Sequence, residues 1–166
     1  MDTGLLIARP SRGFAIGVHA VQKLLGWLGG EGLKGTGGGF RFWPGVLFAL
    51  AAGLGEAGGG LLTAAGFLGV LGPALIILVM LVAIFTVHWG HGSFAASYGI
   101  ELPLLYLTAA LPLAVAGPGR YSLDALLGLE TGLPPERAWV AIVAVVVAVA
   151  CLALPRVAPA PARTHA

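Results

Sequence analysis

The sequence has little charge. Asp, Glu, Lys and Arg make up 10% of its 166 residues, while 58% are hydrophobic. A soluble domain carries about a quarter charged residues. So few charges cannot cover a water-facing surface, which makes lipid the solvent of this chain. Cysteine is nearly absent as well: Cys151 stands alone in an apolar run. That excludes disulfides, thiol relays, iron–sulfur ligation and a Cys-based zinc site within one chain. The formal net charge of +2 comes from scattered Lys and Arg. Without a basic stripe or cluster, no nucleic acid is expected as a partner. Nor is the N-terminus expected to be a secretory signal. Arg9 and Arg12 could open one, but His19, Gln22 and Lys23 interrupt the stretch after them, and no small-residue cleavage site closes it. The N-terminus reads as a retained first helix.

Glycine, by contrast, is plentiful at 27 residues, which suits helices packed closely in a membrane. A spanning helix needs about 20 mostly apolar residues, and five stretches approach that: 13–28, 43–63, 67–89, 100–116 and 139–154. The expected fold is all-α, a polytopic membrane helical bundle with four core transmembrane helices and a fifth at the C-terminus. Its parts are an N-terminal interfacial segment (1–12), a four-helix membrane domain (13–128), a linker with the fifth helix (129–154) and a disordered tail (155–166). The fifth helix is short and uncharged and spans with some bilayer thinning; its alternative is a peripheral helix. Trp27, Trp43, Trp89 and Tyr98 fall at one expected interface, Tyr121 and Trp139 at the other, as an aromatic belt requires. Positive charges balance across the two sides. Arg9 and Arg12, beside the first helix, favour a cytoplasmic N-terminus.

Residues 29–40 are glycine-rich, yet no strand precedes them and no Lys-Ser/Thr comes after. They read as a flexible or re-entrant loop, not a phosphate loop. The short turn at 64–66 makes its flanking helices antiparallel neighbours. After Gly117-Pro118-Gly119, Ser122 caps a short turn with Asp124 near its positive end.

Ionisable residues inside a membrane helix cost about 2.5–3.5 kcal/mol each and are functional candidates by default. His19, Gln22 and Lys23 share one face of the first helix. At 1.5 Å per residue, counted from residue 13, His19 lies ~9 Å and Lys23 ~15 Å deep. Glu56 falls ~20 Å along the second helix, roughly 10 Å from the N-terminal face of a core about 30 Å thick. Lys23–Glu56 is the natural ion pair, with His19 or Gln22 completing its hydrogen bonds. A shallower cluster is formed by His88, His91 and Glu101 at the Trp27/Trp43 surface. Whether the two clusters join depends on helix packing.

Each of these has a plainer reading. The ion pair can simply fix helix register, Lys23 can snorkel to the headgroups, and His88 and His91 can be solvated interfacial side chains. Gly55 and Gly59 form a small-xxx-small pair that needs only packing. A bis-His haem is disfavoured, because His19 and His88 stand at very different depths. No metal site is expected.

The run His19-Ala-Val-Gln22-Lys23-Leu24 and the glycine-rich loop after it resemble the opening of the DoxX family of bacterial membrane proteins. The resemblance continues through Glu56-Ala-Gly-Gly-Gly-Leu-Leu, Met80-Leu-Val-Ala-Ile-Phe-Thr-Val-His88 and Gly117-Pro-Gly-Arg-Tyr-Ser-Leu-Asp124, over residues 13–128. It implies a four-helix bundle in the bacterial plasma membrane, from which the helix at 139–154 departs. It also implies a respiratory or redox-stress setting, since relatives include a membrane subunit of a terminal quinol oxidase or thiosulfate:quinone oxidoreductase.

The leading expectation is a quinone-associated subunit of a membrane oxidoreductase complex. His19, Gln22, Lys23, Glu56, His88 and Glu101 form its ligand or proton pocket. With no electron-carrying cofactor of its own, the chain would take electrons from other subunits and is not an enzyme alone. The alternatives are a non-catalytic scaffold that recruits soluble redox proteins through residues 29–40 and through Arg120, Tyr121 and Asp124, and, behind it, a small-solute or proton carrier. A homo-oligomer is left open.

Overall fold

The computed structural model describes residues 1–39 and 44–129. The expected helix at 139–154 and tail at 155–166 lie outside the described residues, as does Trp43. Every element among the described residues is helical.

The first helix, α1, runs unbroken from Asp2 to Leu25, about 36 Å at 1.5 Å per residue. Asp2 sits in its first turn, Lys23 in its last, each at the end of the helix dipole that favours its charge. Gly26 ends it in the left-handed region (φ 70°), its N–H donating to Gln22 O at 3.2 Å. The segment expected at 1–12 is thus helical and continuous with the first helix. Pro10 lies inside the helix, and Arg9, buried beside it, fastens this half to the bundle through its bond to Tyr121 O, while its Nε donates back to Leu5 O of the same helix. Lys23 stands in the last turn of the helix.

Residues expected as a loop carry a second helix, α2 (Gly32–Gly39). It packs on the start of α3 (Gly45–Ala65). A β-carbon on Gly37 would come 2.8 Å from Val46 N, so glycine lets the two backbones meet. Gly66, at φ 62°, closes α3 and turns the chain back. The next helix, α4 (Leu71–Ala83), passes into a π-helical turn at Ile84–His88 and a 3-10 turn at Trp89–His91. Thr86, whose hydroxyl donates to Val82 O at 2.7 Å, sits in that π-turn, a feature that often marks functional positions. After a 3-10 turn at Ala95–Ser97 come α5 (Glu101–Ala116) and α6 (Leu123–Leu126). Ser122 caps α6 as expected, its Oγ accepting from Ala125 N at 3.1 Å.

The packing is inside-out relative to a water-soluble bundle. Along α3, Leu47, Leu54 and Leu61 face outward, while Ala49, Ala52, Gly53, Glu56, Gly59, Gly60 and Thr63 are buried. The spans Gly45–Ala65 and Leu71–His91 are long and apolar enough to cross a membrane, yet only 28% and 44% buried by protein. Small residues inside and leucine outside is the arrangement of helices that meet each other in lipid. The core between them comprises Ile16, Ala52, Ile76, Ile77, Val79, Met80, Ala110 and Ala114.

Candidate functional site

Glycine sets the register that builds the site. A β-carbon on Gly60 would lie 2.8 Å from Ile16 Cγ2, and one on Gly53 would lie 2.6 Å from Leu24 Cδ2. These contacts lock α1 antiparallel to α3 and bring the end of α1 to the middle of α3. There Lys23 Nζ donates to Glu56 Oε1. Glu56 is 0% exposed and the Lys23 side chain 24%, so the carboxylate is interior and the ammonium stands at its edge. The other carboxylate oxygen, Oε2, makes no hydrogen bond within the protein. On the far side of α3, Gly55 and Gly59 meet Val79 and Ile76 of α4, the packing role expected of that pair.

His19 and Gln22 do not complete the pair by bonding to Glu56. His19 Nε2 and the Tyr106 hydroxyl share a 3.0 Å hydrogen bond, with the rings edge to face at 5.1 Å. Gln22 Nε2 donates to Leu28 O at 3.1 Å and so holds the chain leaving α1. Tyr106 is a site neighbour that sequence reasoning misses. Its signal is nonetheless present: a tyrosine hydroxyl on an apolar helix, half-buried here, calls for a partner.

A cleft of about 460 Å³ takes Gln22 and Lys23 from the first polar cluster and His88 and His91 from the second. Its polar lining is Gln22 and Lys23 of α1, Glu31 and Thr36 at α2, and His88, His91 and Tyr98; Ala52, Val79, Val82 and Ala83 supply apolar walls. His19, Glu56 and Glu101 are not part of this lining. The π-turn carries His88, and the 3-10 turn after it carries His91. His88 Nδ1–H donates to Tyr98 O at 2.6 Å and His91 Nδ1–H to Val87 O at 3.0 Å, which leaves each neutral ring its Nε2 lone pair. Glu101 is placed elsewhere. It is exposed, accepts from Ala95 N at 2.8 Å and steadies the 92–101 loop.

The opposite end of the bundle is closed by Asp124. Its two carboxylate oxygens accept from Leu68 N at 2.9 Å and Gly69 N at 2.7 Å, and its own N–H donates to Gly66 O at 3.2 Å. At 2% exposure, Asp124 is too deep to face a partner protein; it fixes the α3–α4 turn. Arg120 and Tyr121 are exposed, the guanidinium 5.3 Å from the ring centre, and Arg120 N–H donates to Asp2 Oδ1 at 3.2 Å. Arg9, which the sequence marks only as an orienting charge, is buried here. Its Nη2 donates to Tyr121 O at 2.5 Å, and Asp124 stands close enough to act on its charge. The stripe Leu5, Arg9, Gly13, Ile16, Ala20 on the buried face of α1 carries that signal at helical spacing.

Set against known proteins, residues 4–89 match the DoxX family. No curated protein and no solved structure matches. The matched residues include His19, Gln22, Lys23, Glu56 and His88, whereas Gly117–Asp124, which shares the resemblance in sequence, lies beyond them. With more than half of its length matched, the chain belongs to the DoxX family of membrane proteins.

Proposed function

We propose that this protein is a multi-pass subunit of a respiratory or redox-stress oxidoreductase complex in the bacterial plasma membrane, and that its cleft takes the head group of a quinone. The observation that carries this reading is the cleft itself, lined by apolar Ala and Val side chains and by polar groups that include Lys23, whose ammonium is held by Glu56 behind the lining. In this reading α1, α3, α4 and α5 cross the bilayer. At 16 residues, α5 is about 24 Å long, and modest thinning accommodates it.

The donor set fits a quinone. Lys23 keeps N–H groups beyond the one given to Glu56, so it can donate to a ring carbonyl. His88 and His91 can accept a proton from a ring hydroxyl at Nε2. Ala52, Val79, Val82 and Ala83 hold the ring away from water, and Glu56 keeps the Lys23 ammonium in place. A bound quinone supplies reversible uptake of electrons and protons. Electrons come from another subunit, because the residues named here bind, orient and exchange protons only.

The test is mass spectrometry of the organic extract of protein purified in mild detergent, beside a Glu56→Gln control. Near-stoichiometric quinone in the wild type and its loss in the control is the expected result. Quinone absent from both, or equal in both, rejects the reading in favour of a scaffold.

A further inference from the structure

Among the described residues, three buried side-chain atoms lack a hydrogen-bond partner in the protein: Glu56 Oε2, Arg9 Nη1 and Thr63 Oγ1. The first belongs to the pair already described. The other two stand together at the opposite, closed end of the bundle. Arg9 is 3% exposed and Thr63 2%. Both residues line one cavity of about 10 Å³, bounded also by Leu62, Gly66, Gly69 and Pro73. Glycine crowds both polar atoms, Gly66 in the cavity lining and Gly72 outside it. A β-carbon on Gly66 would collide with Arg9 Nη1, and one on Gly72 would lie 2.7 Å from Thr63 Oγ1.

We propose that this cavity is a binding site for a single water molecule that bridges the Arg9 guanidinium and the Thr63 hydroxyl. Leaving a buried donor or hydroxyl unmade costs about 1–3 kcal/mol, more for a charged group. Two such atoms on residues that line one space therefore call for a bridging group. A buried water needs about 10–15 Å³ and two to four polar partners, and the cavity meets both terms. The water accepts from Arg9 Nη1–H and donates to Thr63 Oγ1. Other occupants fit less well. The positive charge of Arg9 repels a metal ion. A halide is too large for the space and has the Asp124 carboxylate close by. The bridge ties α1 to the last turn of α3, in parallel with the direct bond from Arg9 to Tyr121 O.

The test compares wild type, Thr63→Ser and Thr63→Val by high-resolution density and by melting in detergent. The expected density is a solvent peak about 2.7–3.2 Å from both polar atoms, present in wild type and Thr63→Ser and absent in Thr63→Val. The nearly isosteric Thr63→Val should melt about 3–8 °C lower, while Thr63→Ser should stay near wild type. No peak in the wild type overturns the proposal. So does a Thr63→Val protein that melts at or above it, or an equal loss in both variants. Should Thr63→Val fail to fold, the wild-type and Thr63→Ser densities decide. A peak that gains anomalous signal in bromide identifies an anion and overturns the assignment to water.

Discussion

Lys23 in the last turn of α1 donates to Glu56 in the middle of α3, and Glu56 has no exposed surface at all. A buried pair of this kind is costly to break from one side and much less costly to replace whole. Removing one partner strands an uncompensated charge, at about 3–5 kcal/mol, whereas an apolar pair of similar volume can be neutral. Glu56→Ala should therefore melt well below the Lys23→Met/Glu56→Leu double variant in the same detergent. Equal melting points would mean that the two side chains do not depend on each other.

Two glycines of α3, Gly58 and Gly60, should respond oppositely to alanine. Gly60 lies against Ile16 and the Gly13 carbonyl, where a β-carbon would come within 2.8 and 2.9 Å; at Gly58 a β-carbon meets nothing within 4 Å. Alanine at Gly58 should raise helix stability by about 0.4–1 kcal/mol, chiefly through the unfolded chain. Alanine at Gly60 should separate α1 from α3, at about 1–3 kcal/mol for overpacking, and weaken the Lys23–Glu56 contact with it. Thermal melts of the two variants check the sign; a stabilised Gly60→Ala would refute the register described for α1 and α3.

The parts of this molecule legible in the sequence are those that depend on one helix at a time. Low charge and long apolar runs point to the helical class, and the isolated charges Lys23 and Glu56 name their own partners because each is expensive alone. Ser122 can be placed as a cap from its local context. The illegible parts depend on two helices at once. Tyr106 meets His19 only because α5 packs beside α1, and Gln22 turns to Leu28 O because α1 ends at Leu25. Arg9 misleads because it lies in the segment expected at the interface, while the carbonyl it donates to, Tyr121 O, is 112 residues away. The helix α2 is unreadable because glycine-rich sequence has poor intrinsic helicity; contact with α3 overrides that preference.

The His19–Tyr106 bond gives a third expectation. Tyr106→Phe removes the hydroxyl but keeps the ring, and so the edge-to-face contact at 5.1 Å. The loss should be about 1 kcal/mol, well short of that for Glu56→Ala. Because neither His19 nor Tyr106 lines the cleft, quinone retention should be unchanged within a factor of about 2 (under 0.5 kcal/mol). A Tyr106→Phe protein stripped of quinone would show that the cleft extends to α5, and the assignment of its lining would fail.

Asp124 supplies the last and sharpest contrast, because its two oxygens serve two separate backbone donors. In Asp124→Asn the amide oxygen can still accept one bond, but its NH₂ group faces the other backbone N–H, donor against donor. In Asp124→Ala both the Leu68 and Gly69 N–H groups lose their acceptor, and Arg9 loses the negative charge beside it. At about 1–3 kcal/mol for each buried donor left unmade, the order of melting temperatures should be wild type, then Asn, then Ala. Asp124→Glu retains charge but adds a methylene in a site with 2% exposure, so it should fall below wild type through crowding alone. Hydrogen exchange gives the matching local readout: the Leu68 and Gly69 amides should lose protection in Asp124→Ala, while amides around Glu56 keep theirs. If exchange rises instead along the whole of α3, the turn is not an independent lock, and Asp124 is not the clasp of the α3–α4 hairpin.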